Sequence, residues 1–107
     1  MRDDQFEWDD GKNVANHAKH GVWFERARLD YSDAFAVGEC DDHESYGEDR
    51  FIIVGMSDGV LLFVAYTERM VEGEGDGGAQ ERIRIISARR ATRHEQDDYD
   101  QQNGQTP

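Results

Sequence analysis

The sequence predicts an α+β fold: a small, mostly antiparallel sheet with flanking helices gathered at one side. Three observations carry this. Arg50-Phe-Ile-Ile-Val-Gly-Met56 and Val60 to Glu68 are β-rich runs joined by the tight turn Ser57-Asp-Gly59, the pattern of a hairpin. Asp9 to Gly21 has a capping acid at one end and a glycine at the other, the signature of a short helix. Thr92-Arg-His-Glu95, directly after a third β-type run, is a capping box that opens a final helix.

In order, Phe6-Glu-Trp-Asp9 reads as a short alternating strand. Asp9 or Asp10 caps a helix running to about His20, with Val14, Ala15 and Ala18 as its inner face. Phe24, Ala27, Arg28 and Tyr31 then recur at helical spacing, predicting a second short helix that ends near Asp33, although so aromatic a run also fits an extended segment. Ala34 to Gly38 is a strand and the acidic stretch Glu39 to Asp49 a loop. The hairpin follows, then the Gly-rich, acidic segment Gly73 to Gly78, which has nothing to build a core from and reads as a flexible loop. Arg82 to about Arg90 is the last strand, and the final helix runs from Arg93 to Gln102. The order is β-α-α-β-β-β-β-α. Residues 1–102 form one domain and 103–107 a disordered tail.

Composition excludes several classes. No run approaches the roughly 20 apolar residues needed to span a bilayer, and the acidic start is no secretion leader, so no membrane association is expected and the location is cytoplasmic. A lone cysteine, Cys40, forms no internal disulfide. His17 and His20, or Cys40 and His43, are incomplete metal sets, so neither metal nor cofactor is assigned. Trp8, Trp23 and Tyr31 are expected in the core rather than as base-stacking platforms. The formal net charge is −12, with Lys only at positions 12 and 19. Such a surface points to a salt-rich host, with mimicry of nucleic acid as the rival explanation.

Against that trend, the twelve residues Arg82 to Arg93 hold five Arg and no acid, while the rest of the chain sets seven bases against twenty-four acids. A cationic island in an anionic chain marks a place where a negative ligand is held. Strand alternation puts Arg82, Arg84, Ile86, Ala88 and Arg90 on one face, and Ile83, Ile85, Ser87 and Arg89 on the other. Arg84 and Arg90 then project together, with Arg89 and Arg93 at the strand–helix junction. Guanidinium groups bind phosphate bidentately and stay charged, so the cluster suits a phosphodiester. Glu68, at the end of the preceding strand, is a candidate general base. Surface ion pairing with the abundant carboxylates is the alternative for all of these.

Taken together, Phe6-Glu-Trp-Asp9, Asn16-His-Ala-Lys-His-Gly-Val22, Glu48-Asp-Arg-Phe-Ile-Ile-Val-Gly55, Tyr66-Thr-Glu-Arg69 and Ile83-Arg-Ile-Ile-Ser-Ala-Arg-Arg-Ala-Thr92 resemble the BrnT toxins of type II toxin–antitoxin systems. The resemblance implies a fold similar to the RelE ribonuclease toxins. It also implies RNA cleavage without a metal, inhibition of translation, and neutralisation by a BrnA-like ribbon-helix-helix antitoxin. Toxin and antitoxin would form a hetero-oligomer that meets promoter DNA only through the antitoxin. Carried onto this chain, it points to Arg69, Arg84, Arg89, Arg90 and Glu68 as catalytic residues, and to Lys19, His20 and Arg93 as substrate-binding ones. A non-catalytic module that binds the antitoxin and tunes repression is the alternative reading. Two departures from the family's usual pattern stand out: the strong acidity, and the acidic, Gly-rich insertion from Met70 to Glu81.

Overall fold

The computed structural model describes residues 6–41, 50–72 and 79–102. Strands β1 (Phe6–Glu7), β2 (Val37–Asp41), β3 (Arg50–Ser57), β4 (Val60–Glu72) and β5 (Ala79–Arg90) form one sheet in the spatial order β1-β5-β4-β3-β2. Only β1 runs parallel to its neighbour; the remaining pairs are antiparallel. Helices α1 (Asp10–His20) and α2 (Phe24–Ala27), and a 3-10 turn (Arg28–Ser32), precede β2, and α3 (Arg93–Gln102) follows β5. Class and element order are those expected. The helices, however, are not all on one side. The core lies beneath α1, α2 and the 3-10 turn, whereas α3 lines a pocket with Val54 and Phe63 on the opposite face.

Several local expectations hold for stated reasons. Asp9 caps α1 by accepting from the Lys12 N–H at 2.9 Å, and Gly21 closes it at φ 72°. Asp58 and Gly59 both have positive φ (48° and 84°) between the paired Ser57 and Val60, the backbone a two-residue hairpin turn needs. The Thr92 N–H donates to Glu95 at 2.8 Å and the Glu95 N–H to the Thr92 hydroxyl at 3.2 Å, which completes the capping box.

Other boundaries move. The second helix is a single α-turn continued by the 3-10 turn, and β2 begins at Val37 and takes in Glu39, Cys40 and Asp41. Strands β4 and β5 extend to Glu72 and from Ala79, so cross-strand pairing continues through half of the Met70–Glu81 segment. The Gly73–Gly78 loop and the 103–107 tail lie outside the described residues.

The inner face of α1 is the largest departure. Val14 is 61% exposed and Ala15 and Ala18 face solvent, while Asn13 and Asn16 are buried. The cause is the sheet edge. Strand β1 covers β5 only at Ile83 and Arg84, which leaves the backbone of Ala88 without a strand neighbour on that side. The Asn16 amide replaces the missing strand: Nδ2 donates to the Ala88 carbonyl at 2.8 Å, and Oδ1 accepts from the Ala88 N–H at 3.1 Å. The same Nδ2 reaches the Val22 carbonyl at 2.9 Å, and Asn13 Oδ1 accepts the Phe24 N–H at 2.7 Å. A hydrophobic pattern search misses a helix held by amides.

Beneath the 3-10 turn, a Cβ at Gly55 would meet the Asp30 carbonyl oxygen at 2.9 Å, so glycine there lets the turn lie against β3. Asp30 is fully buried, and neither carboxyl oxygen has a well-formed hydrogen bond among the described residues. Burial pushes its carboxyl up to about 8; the Gly55 N–H pulls it down a little and Asp33 adds to the rise. Asp33 differs because N–H groups of Met56 and Phe35 and the Tyr99 hydroxyl donate to it, at 2.8, 2.9 and 2.7 Å. These bonds outweigh its partial burial and hold it below the usual carboxylate range.

A folded-state pKa above the ordinary value means the stabilisation is complete below the unfolded pKa, is lost as pH rises, and has gone above about 8. Asp30→Asn should therefore stabilise the protein on the order of 2–4 kcal/mol at pH 8 and hardly at all near pH 4. Urea unfolding at the two pH values measures the difference. An equal effect at both would remove Asp30 as its source.

Candidate active site on the open sheet face

Side-chain alternation along β5 does not run unbroken. Ala65 pairs with Ser87 and Tyr66 with Ile85, so Ile86 is an unpaired bulge residue. The bulge shifts the phase by one. Ile83, Ile85 and Ala88 then share the core face, at 6%, 1% and 1% exposure, and Arg90 follows them opposite Leu62. Arg82, Arg84, Ser87 and Arg89 share the other face. The expectation that Arg84 and Arg90 project together is thus overturned: Arg84 and Arg89 do.

On this second face the register builds a row across four strands. Arg50 is opposite Thr67, Thr67 opposite Arg84, and Arg84 opposite Glu7 of β1. Directly paired residues point the same way, so two Arg flank a Thr that is only 4% exposed. Backbones two strands apart are separated by roughly 10 Å, a gap that two extended Arg side chains can close around one phosphate.

Arg89 sits two rows further along on this face, past Ser87, and opposite Phe63. Its guanidinium lies 4.0 Å from that ring centroid and forms a bidentate pair with Glu95 at 2.8 and 2.9 Å, with a further bond to the Arg90 carbonyl at 3.1 Å. Burial opposes ionisation of Glu95, but the bonds from Arg89 and Thr92 prevail and lower its pKa. Arg89 therefore fastens α3 to the sheet, as the ion-pair alternative had it. About a third of its side chain remains exposed (34%). Screening then limits the effect of Arg89→Ala to about 1 kcal/mol, visible as a lower urea midpoint.

The remaining sequence candidates are dispersed. Glu68 pairs with Ile83 and so faces the helix-covered side, away from Arg84. Partial burial, and the Glu81 carboxyl hydrogen-bonded to it, raise its pKa. Arg69 pairs with Arg82 in the ladder, and its side chain is outside those described. Lys19 and His20 occupy the last turn of α1, one turn past the Asn16 bonds that hold the helix against β5, and Arg93 is exposed at the start of α3. Trp8 and Tyr31 pack against the core, but Trp23 is 42% exposed.

Arg50, Thr67 and Glu7 were not among the sequence candidates. Arg50 and Thr67 were within reach: counting outward from the Asp58-Gly59 turn pairs them. Placing Arg84 beside Thr67 requires the Ile86 bulge, and nothing in the β-rich run announces it.

A family model described as the ribonuclease toxin BrnT of type II toxin–antitoxin systems matches residues 8–95, a span that contains Arg50, Thr67, Arg84 and Arg89. A comparison with curated proteins gave no match. The chain belongs to the BrnT family of ribonuclease toxins of type II toxin–antitoxin systems.

Proposed function

We propose that this protein is a cytoplasmic endoribonuclease that inhibits translation by cutting RNA without a metal, and that a ribbon-helix-helix antitoxin neutralises it. The observation that carries the chemistry is the Arg50–Thr67–Arg84 row on the open sheet face. In the reaction, a ribose 2′-oxygen attacks the adjacent phosphorus and the 5′-oxygen leaves, giving a 2′,3′-cyclic phosphate and a free 5′-hydroxyl. Charge grows on the non-bridging oxygens in the transition state, where the Arg50 and Arg84 guanidinium groups would stabilise it. Glu7, opposite Arg84 in the ladder, would accept the 2′-hydroxyl proton, and the leaving 5′-oxygen would take its proton from water. Arg89 holds α3 in place, and Lys19, Arg90 and Arg93 supply positive charge to the RNA, with the His20 imidazole as a further polar contact.

The surface charge sets the conditions. A net −12 repels RNA, but charges are screened within ~3 Å at 1 M salt. Stability and cleavage should both rise between low and molar KCl. The direct test is expression of the protein alone, followed by incubation of the purified protein with RNA in a chelator. Growth arrest and cyclic-phosphate ends are expected.

The same acidity favours a second reading, a non-catalytic module that binds its antitoxin and tunes repression. Intact RNA at every KCl concentration, together with a tight antitoxin complex, would establish that reading instead.

A further inference from the structure

An indole left in solvent forgoes one of the largest burials a side chain can make. Trp23 is 42% exposed, yet its ring is held flat on the His17 imidazole, with centroids 3.9 Å apart and planes at 10°. The helix start that follows does not need an indole. Trp23 contributes its backbone carbonyl, which accepts from the Arg26 and Ala27 N–H groups at 3.0 and 3.1 Å, and its side chain makes no capping bond. Ser, Asp or Asn would serve that position better.

The stack stands beside the end of the cationic island. A single nitrogen, Asn16 Nδ2, donates to the carbonyls of both Val22 and Ala88, so the backbone leading into Trp23 lies beside the strand that carries Arg90 on the same side of the sheet. Arg90 is exposed on the helix-covered side of the sheet, and Lys19 and His20 occupy the turn that follows His17. A flat, rigid aromatic surface bordered by cations matches the chemistry of an unpaired nucleobase with its phosphates.

We propose that Trp23, backed by His17, is a stacking platform for one unpaired base of single-stranded RNA whose phosphates pass over Lys19, His20 and Arg90. The proposal rests on the ribonuclease reading and adds a positioning subsite to it. It selects single strands, because the bases of a duplex are already stacked on one another.

The test uses a short single-stranded 2′-O-methyl RNA, which lacks the attacking hydroxyl and is not cut. Titrated into Trp8→Phe protein in molar KCl, it should quench Trp23 fluorescence saturably; the same strand in a duplex, or carrying abasic sites, should not. By anisotropy, affinity should fall roughly tenfold in Trp23→Ala and be largely retained in Trp23→Phe. Quenching present in wild-type protein and absent from Trp23→Phe gives the same result without relying on Trp8→Phe. RNA cleavage with full binding and no quenching would overturn the platform and leave the ribonuclease reading intact. So would unchanged RNA affinity in Trp23→Ala with a weakened antitoxin complex, which would assign the stack to protein. Absence of all RNA binding and cleavage would overturn both.

Discussion

Asn16→Ala should destabilise the protein by about 3 kcal/mol, the largest single-site loss of stability expected outside the apolar core. The substitution removes three hydrogen bonds of 2.8, 2.9 and 3.1 Å from a side chain that is only 8% exposed. What remains is the greater cost: the N–H and carbonyl of Ala88 and the carbonyl of Val22 lose their partner where water has little access. For a chain of this size the midpoint of thermal unfolding should fall by roughly 10–20 °C. Asn16→Asp should be no better, because a carboxylate cannot donate to either carbonyl. Asn13→Ala should cost less, since one of its two partners, Glu25, is exposed. Urea and thermal unfolding of the three variants would show the order. An Asn16→Ala protein as stable as the parent would mean that α1 is not held by this amide.

Arg84→Ala should lower RNA cleavage by on the order of 10²–10³-fold, the effect of deleting one preorganised charge-stabilising donor. Arg84 is half-buried on the open face, and none of the core residues depends on it, so unfolding should change little. Arg84→Lys should recover only part of the loss, because an ammonium group supplies charge without the planar fork. Arg50→Ala should behave like Arg84→Ala. Arg89→Ala should differ in kind: a loosened α3, with loss of activity following loss of stability. Single-turnover cleavage alongside urea unfolding separates the two patterns. Full cleavage by Arg84→Ala would remove the row from the mechanism.

Much of this architecture is legible in the residues because it is set by local rules. The Asp9 and Gly21 caps, the Asp58-Gly59 turn and the Thr92–Glu95 box each depend on backbone groups within a few positions of one another. The hydrophobic alternation of β3, and of β5 up to Ile85, depends only on the two-residue period of a strand. The family resemblance likewise follows from motifs read in order, and the match over residues 8–95 bears it out.

The candidate site was less legible. The island of five Arg drew attention to β5, but charge density does not say where each guanidinium points. One bulge residue, Ile86, moves Arg90 to the core side and Arg89 to the open face; Glu68 follows Ile83 to the helix side. Arg50 lies outside the island altogether and joins the site through pairing with Thr67.

The sequence by itself determined the fold class, the order of elements, the family and the existence of a cationic region. These follow from local propensities, turn chemistry and composition, which act between neighbours in the chain. Only the tertiary structure decided which cations share a face, which one is spent on holding α3, and that α1 docks through Asn13 and Asn16 rather than through its apolar residues. Those outcomes depend on long-range register and on the unpaired edge that a two-residue β1 leaves beside Ala88. Backbone groups left without a strand partner must be satisfied by whatever side chain the fold brings to them, and no short-range pattern encodes that demand.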